Sequence, residues 1–355
     1  LKPVLFITGH VPAYRVDGLR RLHEREGIEV ALSGGRGLHG GPGQPPQLPF
    51  PSLSVTPGEL WRLAAGGRHR AVVCSTAGRL APLAGWSGAR RAGLPVILWA
   101  SLWAHPRTPA HALGYVPLRR LYASADAVVT YGPHVSAYVR ARGASNIHVA
   151  PQAVDNDSWA AEPSGRPLPD GWPAQAATRF LFVGRDAPEK GLGVLADAWR
   201  RAAGTRGDLA LVLAGGAGVD GPGALALGTV DRARLRDVYA ACEVLVVPSI
   251  PTRTFREPWG LVVNEAMNRR LAVIASDAVG AAAGGLVRDG QNGLVVAAGD
   301  AEALAGAIER LADDPQLREL MGVRGSADVR AYNDESWAGG FSAALATLGL
   351  SRGRC

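Results

Sequence analysis

Residues 180–203 read Phe-Leu-Phe-Val-Gly-Arg-Asp-Ala-Pro-Glu-Lys-Gly-Leu-Gly-Val-Leu-Ala-Asp-Ala-Trp-Arg-Arg-Ala-Ala. Phe180 to Val183 is a short apolar run of the kind that forms a buried strand, and Leu192 to Ala203 carries helical periodicity. The eight residues between them, Gly184 to Gly191, hold two cations, Arg185 and Lys190. A strand, a short loop and a helix form the half-unit of an α/β fold, and the helix start offers unsatisfied amides and partial positive charge to an anion. Arg185 supplies a planar fork for two phosphate oxygens, and Lys190 a compact charge at the same place.

The alternation continues on both sides of this stretch. Downstream, Leu209–Leu213, Val244–Val247, Ala272–Ala275 and Leu294–Val296 read as strands. Arg232–Cys242, Leu261–Asn268 and Ala301–Ala312 read as helices. Upstream, Pro3–Thr8, Glu29–Leu32, Ala71–Cys74, Pro95–Trp99, Ala127–Thr130 and Ile147–Ala150 read as strands. Val16–Glu26, Leu113–Ala123 and Pro133–Ala141 read as helices among them. Strands alternating with helices predict parallel sheets covered on both faces. Ser33 to Pro57, rich in Gly and Pro, reads as a long working loop, and 151–178, polar and Pro-rich, as an interdomain connection. The expected organisation is α/β with two Rossmann-like domains facing a cleft. Residues 1–152 form the first and 153–333 the second.

A second constellation follows the strand Val244–Val247: Glu257-Pro258-Trp259-Gly260-Leu261-Val262-Val263-Asn264-Glu265-Ala266-Met267. Two carboxylates stand eight residues apart across a Pro–Gly bend. Glu257 falls in the loop and Glu265 about one turn into the helix, where it is placed to accept from ribose hydroxyls. The amides of Gly260, Leu261 and Val262 would face an anion.

The G-R-x4-K-G loop and the E-x7-E segment, in this order, resemble family 4 of the GT-B glycosyltransferases. Supporting matches are Gly215-Gly216, Leu227-Gly228-Thr229-Val230 and Asp289-Gly290-Gln291-Asn292-Gly293-Leu294, with a weaker one at Pro151-Gln152-Ala153-Val154-Asp155. The resemblance implies a retaining transferase that uses a nucleoside-diphosphate sugar as co-substrate, with no other cofactor and no metal. It implies that Gly184, Arg185, Lys190, Gly215, Trp259, Gly260, Leu261, Val262 and Glu265 bind the donor. In that scheme Arg185 and Lys190 hold the diphosphate, Glu265 the ribose, and Glu257 sugar hydroxyls. It also implies a histidine of the first domain near the reacting sugar, and a final helix in 334–355 that returns to the first domain. His105, just beyond the strand Pro95–Trp99, is one candidate and His10 the other; His10, Tyr14 and Arg15 would shape the acceptor side. The loop Gly9–Arg15 lacks the double glycine of many relatives, 218–225 is short, and 279–285 lacks a common acid.

Composition narrows the alternatives. The chain has 355 residues, 47% of them apolar, with 38 Lys plus Arg, 31 Asp plus Glu and only two lysines. Length and apolar content suit two domains with ample cores. Residues 1–160 carry 17 basic and 8 acidic side chains, whereas 161–355 are nearly balanced. That asymmetry suggests an anionic acceptor, or a peripheral membrane contact through the basic first half. No clustered Lys/Arg stripe supports nucleic-acid binding. Three cysteines without a C-x-x-C suggest a reducing cytoplasm, possible contact with the inner membrane face included, and no apolar run is long enough to span a bilayer.

Two patterns are decoys. Gly216 to Gly221 spells G-x-G-x-x-G, but Pro222 and Gly223 stand where a helix must begin. Asp155-Asn156-Asp157 spells D-x-D, yet its place in the connection marks it as a cap or turn. The acceptor is expected to be a lipid-linked sugar or small natural product. Two rival functions remain open: an epimerase acting on a nucleotide sugar, and a non-catalytic homologue that keeps the donor site.

Overall fold

The computed structural model describes residues 1–33, 48–76, 80–216 and 218–352. These divide into two compact units, Leu1–Ala153 with Asn333–Cys355, and Val154–Tyr332. The chain crosses between them within one residue of the sequence-derived boundaries.

The first unit begins β1 (Val4–Thr8), α1 (Val16–Glu26), β2 (Ile28–Leu32), β3 (Ser52–Ser54), α2 (Pro57–Ala65), β4 (Ala71–Ser75) and α3 (Ala81–Arg91). It continues through β5 (Val96–Ala100), α4 (Pro109–Ser124), β6 (Ala127–Thr130), α5 (Pro133–Arg140) and β7 (Ile147–Val149). The seven strands are all parallel, in the order β3-β2-β1-β4-β5-β6-β7. The expected long loop from Ser33 to Pro57 is corrected in part, because Ser52–Ser54 pairs with β2 as an edge strand. Residues 34–47 of that stretch lie outside the described residues. Ser52-Leu53-Ser54 alternates, but three residues next to Pro51 in a Gly- and Pro-rich stretch are too few for a period to stand out.

The second unit runs α6 (Asn156–Ala160), β8 (Thr178–Val183), α7 (Leu192–Ala203), β9 (Leu209–Ala214), β10 (Ala224–Ala226), α8 (Arg232–Ala240) and β11 (Val244–Val247). After these come α9 (Val262–Asn268), β12 (Ala272–Ser276), α10 (Gly280–Ala283), β13 (Leu294–Val296), α11 (Ala301–Asp313) and α12 (Pro315–Asp328). Its six parallel strands are ordered β10-β9-β8-β11-β12-β13. Both decoys resolve structurally. The segment after Gly218 runs into β10 rather than a helix, and Asp155 caps α6 by accepting from the Ser158 amide.

The strands are buried on both faces because helices cover both. β1 (VLFIT) and β9 (LALVLA) have every residue buried. In the first unit α2 to α5 cover one face, while α1 and the last helix, α13 (Asp334–Thr347), cover the other. Trp337 and Phe341 of α13 pack on Phe6 of β1 at ring-centroid distances of 6.3 and 5.4 Å. Full burial of such rings contributes about 2–3 kcal/mol each, so α13 is an integral layer of the first unit.

Candidate functional site

Open parallel sheets place ligands beyond the carboxyl ends of the strands, where the strand order reverses. In the second sheet that point lies between β8 and β11. The loops leaving these two strands are Gly184–Gly191 and 248–261, which hold the two sequence constellations. Topology alone therefore brings them to one place.

Their meeting is direct. Lys190 Nζ donates to Glu257 Oε2 at 2.6 Å, and Glu257 is only 9% exposed. Arg185 Nη2 donates to Glu189 Oε1 at 2.6 Å, with the Arg185 side chain half exposed. The Ile250 amide donates to the Glu189 carbonyl at 3.0 Å, joining the loops by their backbones as well. Gly191 turns the chain into α7 at φ +69°, and a Cβ there would lie 2.0 Å from the Pro248 carbonyl oxygen. Glycine is required by both conformation and space. Gly184 and Gly215 back the loop, with the Gly184 amide bonded to Ala214 and that of Gly215 to Gly228.

The second constellation is held from beneath by β12 and α10. The Gly280 amide donates to the Glu257 carbonyl at 3.1 Å, and the Ala281 amide to Trp259 at 2.8 Å. A Cβ on Gly280 would stand 2.0 Å from the Pro258 carbonyl oxygen, so this contact also excludes any side chain. Trp259 is buried, donates through Nε1 to Asn264 Oδ1 at 2.8 Å and lies 5.6 Å from the Tyr332 ring. It acts as the anchor of the loop. Within α9 the Glu265 amide bonds back to Leu261 and the Val263 amide to Gly260. The Leu261 and Val262 amides precede these bonds, at the positive end of the helix.

Glu265 sits in the first turn of α9, where Tyr239 of α8 donates its hydroxyl to Oε2 at 2.9 Å. Burial pushes the Glu265 carboxyl up to about 7, against the opposing pull of the Tyr239 hydroxyl and the Arg232 charge. The same burial raises the Tyr239 hydroxyl well above its usual range. Tyr239, Glu189 and Asn264 escaped the sequence reading. Tyr239 touches Glu265 from 26 residues away, which no spacing rule covers, whereas Glu189 and Asn264 lie inside the two motifs and show their roles only through contact with Arg185 and Trp259.

The first-unit candidates are dispersed. His10 is exposed in the loop after β1. His105, in the loop between β5 and α4, faces the His111 carbonyl through Nε2 at 2.9 Å and the Tyr138 hydroxyl through Nδ1 at 3.4 Å. It lines a concavity of about 630 Å³ with Trp103, Arg107, Tyr138 and Arg142. Tyr14 is half-buried, and burial raises its hydroxyl. Arg15 departs from the expectation of an acceptor-facing cation. It is 3% exposed, donates to Gln152 Oε1 at 2.5 Å and stacks 4.7 Å over the Trp337 ring. The apolar face of α13 covers it, and that burial lowers its guanidinium. Arg15 is therefore a buried structural cation in this unit.

Comparison with known proteins agrees with this frame. Residues 177–314 match the family described as glycosyl transferases group 1. A D-inositol 3-phosphate glycosyltransferase of Xylanimonas cellulosilytica is 30% identical over 345 residues, covering 82% of this chain and 78% of that protein. A phosphatidyl-myo-inositol mannosyltransferase of Mycobacterium tuberculosis is 34% identical over 209 residues, 55% of this chain and 52% of its own. The chain thus spans about half the length of the mycobacterial relatives it matches. Among solved structures, the Anabaena HepE protein in complex with UDP and glucose superposes with a TM-score of 0.74 at 18% identity, covering 98% of this chain and all of the other.

Proposed function

Because the chain belongs to the group 1 glycosyl transferases and has the GT-B fold, we propose that it transfers a sugar from a nucleoside-diphosphate donor to an acceptor hydroxyl, with retention at the anomeric carbon. The observation that carries the reading is the meeting of Lys190 and Glu257 at the β8/β11 reversal of the second sheet, with Glu265 in the first turn of the helix that follows the Glu257 loop.

In this proposal the donor diphosphate lies over the loop Gly184–Gly191. Arg185 and Lys190 share its charge, and the Leu261 and Val262 amides meet the distal phosphate. Departure of the diphosphate leaves an oxocarbenium-like sugar, so stabilising the leaving charge lowers the barrier. Those cations and amides supply the stabilisation that a metal supplies elsewhere, and the proposed transfer is metal-independent. The leaving phosphate oxygen takes the acceptor proton on the face where the new bond forms, which preserves configuration. Glu257, held by Lys190, orients sugar hydroxyls. Glu265 in its ionised form accepts from the ribose. His105 and His10 remain the candidates for the reacting-sugar side.

The acceptor is proposed to be a lipid-linked sugar or a small polyol. The names of the relatives, which specify phosphatidyl-myo-inositol and D-inositol 3-phosphate, put inositol-bearing acceptors first in any panel. The test is product analysis with UDP-, GDP- and ADP-sugars against such acceptors. A glycoside of retained configuration is expected. An epimerised nucleotide sugar formed without acceptor would overturn the proposal in favour of an epimerase, and intact donor throughout would favour a binding protein.

A further inference from the structure

The helix α4 is longer than the sheet it serves. Its last turn is anchored, since Leu121 and Tyr122 are buried and Trp86 Nε1 of α3 donates to Ser124 Oγ at 3.2 Å. From Pro109 to Arg120 no described side chain is buried. Leu113 is 83% exposed and Val116 54% exposed, and at the start of neighbouring α3 Leu80 and Leu83 are exposed too. Both helices lie on one face of the first sheet and begin at the same edge of it.

Charge adds an independent observation. Residues 60–125 contain nine arginines and no Asp or Glu. Arg107, Arg119 and Arg120, which flank the free part of α4, are all exposed. Ordinary soluble surfaces intersperse both signs and keep leucines scattered. Here exposed aliphatic side chains sit beside exposed arginines, while the acids Glu59 and Asp126 stand only at the two ends of the stretch, Asp126 paired with Arg90.

We propose that the projecting half of α4 is a docking surface for an anionic lipid bilayer. Leu113 and Val116 enter the headgroup boundary, and Arg107, Arg119 and Arg120 face lipid phosphates. No helix among the described residues is long and apolar enough to cross a membrane, so the contact is interfacial. A bilayer suits this surface better than a folded partner. The apolar side chains are few and protrude from a helix rather than lining a groove, and the arginines meet a diffuse negative surface without specific pairing. The inference is independent of the proposed sugar transfer.

Co-sedimentation of the full chain with vesicles tests it, without nucleotide sugar or acceptor present. Binding to phosphatidylcholine vesicles containing phosphatidylglycerol is expected, with little binding to phosphatidylcholine alone and a decline as salt rises. Each of Arg119→Ala and Arg120→Ala should weaken binding about fivefold. The pair Leu113→Ser with Val116→Ser should abolish it while leaving the thermal transition unchanged. Equal binding to both vesicle types, or anionic binding untouched by these substitutions, would overturn the proposal. So would concentration-dependent self-association that the Leu113→Ser, Val116→Ser pair abolishes while no vesicle binding is seen, since a second copy would then own the surface.

Discussion

Lys190 Nζ lies 2.6 Å from Glu257 Oε2, an ion pair across 67 residues that joins the loops leaving β8 and β11. The pair ties the two loops together, and the proposed function adds a second duty for each residue towards the donor. Lys190→Ala should lower kcat by about 100–1,000-fold through loss of leaving-group stabilisation. It should also cost on the order of 2–3 kcal/mol of stability, because a carboxylate then stays largely buried without its cation. Denaturant unfolding separates the two effects. A double cycle with Glu257→Gln should return a coupling of about 1–3 kcal/mol.

Glu265 makes the site sensitive to pH. Its carboxyl titrates near 4.5 in an unexposed-to-protein setting such as the unfolded chain, and at about 7 when folded. The folded state therefore binds the extra proton between those values, and stability should fall as pH rises from about 4.5 to about 7, then level off. The drop is on the order of 3 kcal/mol, and Glu265→Gln should erase it. Nucleotide affinity should move the opposite way, tightening as Glu265 ionises. That trend beyond the titration of the phosphates themselves should vanish in the same variant.

Gly280 and Gly191 test the backbone that carries the site. Gly280→Ala places a methyl against the Pro258 carbonyl, displacing the segment that bears Glu257 and Trp259. Gly191→Ala adds a left-handed backbone conformation to a similar clash. Each should cost about 2–4 kcal/mol in chemical denaturation and weaken nucleotide binding at least tenfold.

Arg15 predicts the converse. Arg15→Ala removes a buried cation from beneath Trp337 and takes a hydrogen bond from Gln152. A loss of about 2–4 kcal/mol in the stability of the first unit is expected, while nucleotide affinity, which the proposed function assigns to the second unit, should stay within twofold.

Much of this was legible before any coordinates. Short, β-branched or aromatic apolar runs such as Phe180–Val183 and Val244–Val247, bounded by Gly or Pro, read as buried strands, and the intervening helices favour parallel pairing. Once those strands neighbour each other, the loops with Lys190 and Glu257 must meet. Three things were not legible. Ser52–Ser54 forms an edge strand by borrowing the backbone of β2, which side-chain pattern does not report. The burial of Arg15 carries no local signal, because nothing near it reveals that α13, more than 300 residues later, folds over it. Tyr239 meets Glu265 only through the packing of α8 against α9, and a tyrosine in a helix carries no signal of such a partner.

The central claim is that the second unit binds a nucleoside diphosphate at Lys190, Glu257 and Glu265. Thermal unfolding with a panel of UDP, GDP, ADP, CDP and TDP tests it most directly. One base should give a clear rise, corresponding to about 2–3 kcal/mol at a hundredfold excess over Kd, and Lys190→Ala and Glu265→Gln should each remove most of it. No shift with any of these nucleotides, or an equal shift in both variants, would contradict it.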